Sequence, residues 1–233
     1  MHPAVRVILV EPAGPLNVGA VARVMRNFAC RELVLVQPRC DWQGEEARRM
    51  AVHAADVLIT AQVQPDLLTA LTGCVRAVAT LGRHPPGEPL KAVLPWLLQD
   101  VAPVAVVFGP EDRGLTWAEV QLAQRQVTLP THPDYPSLNL AQAVAICLYE
   151  IYQYGREHPP APSAAVAAVD EVEAYLQDLE SLLLQIGYLY PHTRARRMAK
   201  IRRLLQRAAP SGAELALLRG MIRQARWAMQ SKP

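Results

Sequence analysis

The sequence lacks the features that mark membrane, secreted and zinc-binding proteins. No apolar run reaches the roughly 18–20 residues needed to span a bilayer, and residues 1–6 lack the charged and apolar stretches of a signal peptide. Its four cysteines are widely separated, with no Cys-x-x-Cys pair, and its six histidines are scattered. These absences argue against a metal site and predict buried or half-buried thiols in a cytoplasmic protein.

Charge is unevenly distributed along a chain long enough for one good core, or one core with a small appendage. In residues 170–233, Lys and Arg outnumber Asp and Glu by 11 to 6, whereas residues 1–169 carry 13 against 15. A basic tail suits contact with a phosphate backbone. A charged run is more often a solvated helix face, so this excess alone decides little.

Hydrophobic patterning in the first two-thirds predicts an α/β fold, with a mostly parallel sheet covered by helices on both faces. The expected strands are Val5–Val10, Leu33–Val36, Val75–Thr80, Val104–Phe108 and Gln126–Leu129. The expected helices are Val18–Phe28, Asp66–Leu71, Leu90–Leu98, Thr116–Gln124 and Leu138–Tyr154. The pattern is least clear between residues 41 and 60, where it favours a helix at Glu45–Ala55 and a short strand at Val57–Ile59.

The chain divides at a Pro- and Ala-rich segment. We expect a catalytic domain over residues 1–155, a linker over residues 156–169 and a basic helical extension over residues 170–233. In the extension, amphipathic patterns predict helices at Asp170–Ile186 and Thr193–Arg207, and a capping box of Ser211 and Glu214 opens a last helix. Short amphipathic helices of this kind need partners to bury their apolar stripes.

The first candidate motif follows the strand that ends at Glu11. A Gly- and Pro-rich loop leads to Asn17, which is placed to cap a helix. Ala20, Arg23 and Asn27 then share one helical face, and tiny residues around them leave room for another backbone or a ligand. A surface arginine on an amphipathic helix would explain this segment equally well.

The second candidate motif is the Gly109–Gly114 turn after the buried strand Val104–Phe108. Ligands of open α/β sheets bind beyond the carboxyl ends of strands such as this one. Glu111 would repel a pyrophosphate, which disfavours NAD and suits an uncharged or cationic ligand such as a sulfonium nucleoside. Taken alone, the segment could equally be a plain tight turn.

The third candidate motif is a Pro-rich loop that runs into Ser137, Leu138 and Asn139. Ser137 is expected to cap the helix that follows. No His or acid at motif spacing could activate its hydroxyl, which argues against a hydrolase nucleophile. Helix capping would explain Ser137, but it would not explain the polar loop that precedes it.

Together these segments resemble the SpoU branch of the SPOUT methyltransferases. Its signatures are Asn-x-Gly-Ala-x-x-Arg, Phe-Gly-x-Glu-x-x-Gly-Leu and a Pro-rich loop into Ser-Leu-Asn, which correspond in order to Asn17–Arg23, Phe108–Leu115 and Pro130–Asn139. The joint match is specific, although each part alone is not. The basic helical tail is similar to the extension of members that methylate the tRNA anticodon loop, so the resemblance covers nearly the whole chain.

The resemblance implies an S-adenosylmethionine-dependent tRNA 2′-O-methyltransferase acting on cytidine or uridine at position 32 of the anticodon loop. It also implies a homodimer and a trefoil knot near the C-terminal end of the sheet, which periodicity could not show. Two departures stand out: Ala29 follows Phe28 where the family often has Gly, and Pro136 removes a backbone donor before Ser137.

The family's site residues carry over to matching positions of this chain. The resemblance implies a catalytic set of Arg23, Ser137 and Asn139. It implies cofactor contacts at Thr80, Leu81, Gly82, Gly109, Glu111, Leu129, Ser137 and Leu138. RNA contacts are expected at Asn17, Arg23, Arg26, Arg196, Arg197, Lys200 and Arg203.

The sequence leaves alternatives open for the chemical role of Arg23 and for the identity of the substrate. A guanidinium stays protonated at ordinary pH, so Arg23 suits a phosphate clamp better than a general base, although the second role stays open. A ribosomal-RNA methyltransferase of the same family is the nearest rival. Such enzymes often carry an RNA-binding domain ahead of the first motif, whereas here that motif begins at Glu11. A non-catalytic RNA-binding protein with this fold is the rival from another class.

Overall fold

A computed structural model of the chain describes residues 4–82, 87–99, 102–158 and 166–230. It separates into two compact units, Met1–Ser163 and Ala164–Pro233. The boundary falls in the Pro- and Ala-rich segment expected to be a linker, of which residues 159–165 lie outside the described residues.

The first unit contains a parallel sheet of seven strands, in the order β3-β2-β1-β6-β4-β7-β5. Every pair of neighbouring strands runs parallel, which confirms the predicted α/β fold. The implied trefoil knot stays a prediction. The strands are β1 (Val5–Val10), β2 (Glu32–Val36), β3 (Gln62–Gln64), β4 (Arg76–Thr80), β5 (Glu88–Pro89), β6 (Val104–Phe108) and β7 (Arg125–Thr128).

The described residues of the first unit also form seven helices, most of which connect successive strands. They are α1 (Pro15–Asn27), α2 (Glu45–Ala51), α3 (Ala55–Ile59), α4 (Leu67–Leu71), α5 (Leu90–Leu97), α6 (Trp117–Leu122) and α7 (Leu140–Glu157), with a 3₁₀ turn at Val52–Ala54. The predicted strand at Val57–Ile59 is wrong, because these residues belong to α3. Val57 and Leu58 are buried in succession beside exposed Ile59, whereas a half-buried strand would alternate.

Helix α1 lies unusually close to α2. A Cβ added to Gly19 would stand 2.2 Å from the carbonyl oxygen of Ala47. The small residues of the first motif therefore serve the close approach of another backbone, which was one of the two roles that the sequence left open.

The turn after α1 ends in a left-handed residue. Ala29 has a φ of 55°, a conformation that disfavours any residue with a Cβ. Glycine adopts this conformation without that penalty, so Ala29 places backbone strain in the first unit of this chain.

The second unit is helical in the described residues. It consists of α8 (Val169–Gln185), α9 (Arg194–Ala208) and α10 (Gly212–Gln230), close to the predicted spans. Its apolar stripes meet in a small core of Ala167, Tyr175, Leu176, Leu182, Leu189, Met198, Leu205, Leu215 and Ile222. The predicted capping box is confirmed, since the Ser211 hydroxyl accepts from the Glu214 amide at 3.3 Å and the Glu214 carboxylate accepts from the Ser211 amide at 2.7 Å.

All four cysteines are free thiols, as expected. Cys30, Cys74 and Cys147 are buried and Cys40 is half-buried, and burial raises the pKa of Cys30 and Cys147 to about 12. No helix in the described part of the chain is long and apolar enough to cross a membrane.

Candidate active site

The second and third motifs meet in one pocket of about 210 Å³ at the carboxyl ends of β4, β6 and β7. All eight residues expected to contact the cofactor line it: Thr80, Leu81, Gly82, Gly109, Glu111, Leu129, Ser137 and Leu138. The remaining lining residues are Phe108, Pro110, Asp112, Arg113, Gly114, Pro136, Leu140 and Ala143. These lining residues therefore form a single concave surface where α/β sheets bind ligands.

Hydrogen bonds between neighbouring strands hold the walls of this pocket in place. The Thr80 hydroxyl donates to the carbonyl of Val107 at 2.9 Å, and the amide of Leu81 donates to Val127 at 2.9 Å. Gly109 permits the second motif to close on itself, because a Cβ there would lie 2.4 Å from the backbone of Gly114. The pocket is thus shaped by backbone held in place by the neighbouring strands.

The side chain of Asn17 joins all three motifs. Its amide nitrogen donates to Oε1 of Glu111 at 2.7 Å, and its oxygen accepts from the amide nitrogen of Asn139 at 2.9 Å. Oε2 of Glu111 accepts from the backbone amide of Ala13 at 3.2 Å. Glu111 therefore anchors the second motif to the first with both oxygens, a structural task that the sequence did not suggest.

The position of Asn17 differs from the prediction. Helix α1 is capped by Gly14 and starts at Pro15, whose fixed φ and missing amide suit the first helical position. The helix begins three residues earlier than expected, so Asn17 lies inside its first turn. Its amide is therefore available to Glu111 and Asn139.

The cap of α7 is also displaced from the predicted residue. Asn139 caps the helix: its oxygen accepts from the amide of Ala141 at 2.9 Å, and the side chain of Gln142 completes a capping box. Ser137 could not form one, since Leu140 stands three residues later. The Ser137 hydroxyl makes no hydrogen bond within the described part of the chain, which leaves it available to a ligand.

Two predicted arginines of α1 differ in their contacts. Arg26 forms an ion pair with Asp56 of α3. Arg23 is exposed, forms no ion pair or hydrogen bond with any described residue, and does not line the pocket of its own chain. The structure therefore leaves the guanidinium of Arg23 open to an external anion.

Two further arginines at the site were not identified from the sequence. Arg39 contacts Asp112 at 3.0 Å and Glu11 at 3.8 Å, whereas Arg113 contacts Glu11 at 2.9 Å and Glu119 at 3.1 Å. Hydrogen bonding from Arg39 lowers the pKa of Asp112. These ion pairs join the first and second motifs across many residues, so spacing along the sequence could not reveal them.

The predicted RNA contacts of the second unit separate into two groups. Arg196, Lys200 and Arg203 are exposed and unpaired within the described residues. Arg197 instead donates to the carbonyl of Tyr188 and lies over its ring. Arg197 thus stabilises the turn before α9.

Family comparisons agree with this geometry. Residues 4–149 match the SpoU rRNA Methylase family, and residues 170–233 match the C-terminal domain of the tRNA methyltransferase TrmJ. The chain belongs to the SpoU rRNA methylase family. This membership makes the chain an RNA methyltransferase, and the methyl donor of the family is S-adenosylmethionine.

Named relatives match this SpoU family member over nearly its whole length. The tRNA (cytidine/uridine-2′-O-)-methyltransferase TrmJ of Pectobacterium atrosepticum is 36% identical, with 94% of this chain and 95% of that protein covered. The tRNA (cytidine/uridine/adenosine-2′-O-)-methyltransferase TrmJ of Pseudomonas aeruginosa is 35% identical, with 94% and 92% covered. The crystal structure of TrmJ from Z. mobilis ZM4 has a TM-score of 0.83 at 31% identity and covers 95% of this chain and 98% of its own.

Proposed function

We propose that this SpoU family member is a tRNA 2′-O-methyltransferase that modifies the ribose of cytidine or uridine at position 32 of the anticodon loop. The observation that carries the proposal is the pocket in which the second and third motifs meet, held to the first motif by Asn17. Similarity to TrmJ over 94% of the chain supports tRNA as the substrate, and the match of residues 170–233 to the TrmJ C-terminal domain supports it again.

The lining of the pocket fits S-adenosylmethionine. Leu81, Leu138 and Leu140 supply apolar surface for a nucleoside, and the backbone at Gly82 is open, since a Cβ there would meet nothing within 4 Å. Glu111 and Asp112 also line the pocket, where Asn17 and Ala13 engage the first carboxylate and Arg39 engages the second, and Arg113 adds a guanidinium. When bound, S-adenosylmethionine supplies the methyl group for transfer.

The residues of the chain then have separate tasks. Ser137, with its unengaged hydroxyl, positions the ligand or the ribose at the pocket mouth. Asn17 and Asn139 hold the motifs together, so they act as positioning residues. Arg23 binds the phosphate beside the target ribose and stabilises negative charge developing on the 2′-oxygen as its proton departs.

The placement of Arg23 supports a homodimer in which this arginine serves the partner's pocket. Arg23 does not line the pocket of its own chain. Apolar side chains on α7 are exposed in the isolated chain, with Ile146, Tyr149 and Tyr152 between 38% and 49% accessible. A dimer interface that covers these side chains would account for the exposed apolar surface on α7.

A subunit-mixing experiment tests the arrangement. One subunit carries Arg23→Lys, and the other carries Ser137→Trp to block its pocket. If Arg23 acts across the dimer, mixed dimers contain one complete site and methylate tRNA, although each parent is inactive. Inactive mixed dimers with normal assembly would place Arg23 and its pocket in the same subunit.

The function itself is tested by methylation of a panel of unmodified tRNAs with S-adenosylmethionine labelled in its methyl group. We expect label at the ribose of cytidine or uridine 32, mapped by mass spectrometry of nuclease fragments. Ribosomal RNA serves as the competing substrate. Label found only in ribosomal RNA would overturn the proposed substrate, and absence of transfer despite cofactor binding would overturn the activity.

A further inference from the structure

The seven cationic residues of α9 fall into two groups. Three of them hold the second unit together: Arg194 pairs with Glu180, Arg202 pairs with Glu173, and Arg197 donates to the carbonyl of Tyr188. The other four are Arg196, Lys200, Arg203 and Arg207, which are exposed and form no ion pair within the described residues.

These four unpaired cations form a continuous row along one face of α9. Their separations of four, three and four residues follow the helical repeat, so the row spans about 16 Å. Helix α9 contains no Asp or Glu that would alternate with them. A solvated face usually mixes both signs, whereas an uninterrupted cationic row matches a phosphate backbone.

Two exposed tyrosines stand at the N-terminal end of this helix. Tyr188 is 55% exposed and Tyr190 is 52% exposed. The guanidinium of Arg197 lies 5.1 Å from the ring of Tyr188. The ring of His192 stacks on Tyr190 with 6.0 Å between centroids and 19° between planes. Each tyrosine therefore has a cationic or aromatic neighbour, while about half of its surface is open.

Burial and backbone hydrogen bonds hold the turn that carries the tyrosines. Leu189 between them is buried at 2% exposure. The amides of Tyr188 and Leu189 both donate to the carbonyl of Leu183 at 3.0 Å. A fixed backbone reduces the conformational entropy lost when a ligand binds to the side chains it carries.

We propose that Tyr188 and Tyr190 form a stacking platform for an unpaired nucleobase of the RNA whose phosphates lie along Arg196, Lys200, Arg203 and Arg207. Proteins that recognise unpaired RNA combine a cationic track with aromatic rings on which bases stack. The platform deepens the proposed function, because it assumes that the bound RNA is the tRNA substrate. It assigns to the second unit a contact with a base in addition to phosphate binding.

The first test is binding of fluorescent tRNA to the full-length protein at several salt concentrations. Tyr188→Leu/Tyr190→Leu should weaken binding roughly tenfold, because about 1.4 kcal/mol of stacking is lost, while the salt dependence stays unchanged. The matched control Tyr188→Phe/Tyr190→Phe keeps the rings and should bind as the parent does. Arg203→Gln/Arg207→Gln should instead lower the salt slope by about 0.7–0.9 for each lost phosphate contact.

Heparin, a polyanion without bases, separates stacking from charge. The leucine variant should bind heparin as the parent does, and the glutamine variant should bind it more weakly. Equal tRNA affinity of the leucine variant and the parent would overturn the platform. An equal loss for tRNA and heparin would also overturn it.

Crosslinking provides a measurement that needs no variant. Irradiation of the parent protein with tRNA containing 4-thiouridine should attach RNA to the peptide with Tyr188 and Tyr190, as identified by mass spectrometry. Crosslinks confined to other peptides would contradict the proposal. If the parent methylates tRNA and the platform tests fail, only the platform is lost. If it stacks RNA bases but methylates no tRNA, the proposed function is lost instead.

Discussion

The two units use their polar side chains in opposite ways. In the first unit, Asn17, Glu111 and Asn139 join segments that lie up to 122 residues apart, and their hydrogen bonds fix the edge of a pocket. In the second unit, ion pairs such as Arg202 with Glu173 tie neighbouring helices together and leave a row of cations unpaired. One unit is therefore built to enclose a small molecule and the other to present an open surface.

The largest expected effect concerns the buried ion pair of the second unit. Arg202→Met should destabilise that unit by about 3–5 kcal/mol, because it leaves the carboxylate of Glu173, which is 6% exposed, buried without its partner. Protease resistance of the two units, followed by mass spectrometry, should fall in residues 164–233 and stay unchanged in residues 1–163. The control is Arg203→Gln at the exposed neighbour. Equal loss of protease resistance in both units would show that their stabilities are coupled, which would contradict the prediction.

The next effect belongs to catalysis in the first unit. Arg23→Lys should lower methyl transfer about 100-fold, because a point charge cannot replace a bidentate fork on phosphate and developing oxyanion. Thermal stability and cofactor affinity should not change, since Arg23 is exposed and has no partner among the described residues. Arg49→Lys, at an exposed arginine of α2 that likewise has no partner among the described residues, is the matched control. Near-normal turnover by the Arg23 variant would remove this residue from the site.

A matched pair of helix caps gives a smaller effect in each unit. Asn139→Ala and Ser211→Ala should each cost about 1 kcal/mol of unfolding free energy, since each removes one capping box. Only the first should reduce methyl transfer at a temperature where both variants are folded, because Asn139 also binds Asn17. Equal activity of the two variants would make Asn139 a cap and nothing more.

The smallest effect is a gain in stability. Ala29 and Ala209 both adopt left-handed conformations after a helix, with φ of 55° and 46°. Glycine at either position should stabilise its own unit by about 1 kcal/mol, because the steric penalty of the Cβ exceeds the added flexibility of the unfolded chain. Differential scanning calorimetry would show a higher melting temperature in each case. A lower one would mean that the methyl group contributes packing that outweighs the strain.

Much of the fold was predictable from the sequence, because buried strands and helices leave a recognisable pattern of apolar residues. Five of the seven strands overlap the short segments predicted from Val, Ile and Leu content, and the three helices of the second unit carry regular apolar stripes. The remaining strands, Gln62–Gln64 and Glu88–Pro89, are short and mostly exposed, so no hydrophobic pattern marks them. The misassigned Val57–Ile59 belongs to α3, a helix of five residues that is too short to display a helical period.

The candidate site was predictable as a list of residues and only partly as a set of roles. The family resemblance implied eight cofactor contacts, and all eight line one pocket. It could not distinguish Asn139 from Ser137 as the helix cap, or show that Glu111 binds Asn17, because these depend on where helices begin in three dimensions. Arg39 and Arg113 were missed for the same reason, since their partners come from distant segments.

The Asn17 amide has an evolutionary consequence. Its nitrogen donates to Glu111 and its oxygen accepts from Asn139, so one partner must be an acceptor and the other a donor. Replacing Asn17 removes a side-chain partner from both Glu111 and Asn139, and replacing either of those leaves one end of the Asn17 amide without its partner, so a different network needs several changes together. Libraries that vary these positions one at a time should return mainly the parent residues, whereas joint randomisation of all three offers the way to alternative networks.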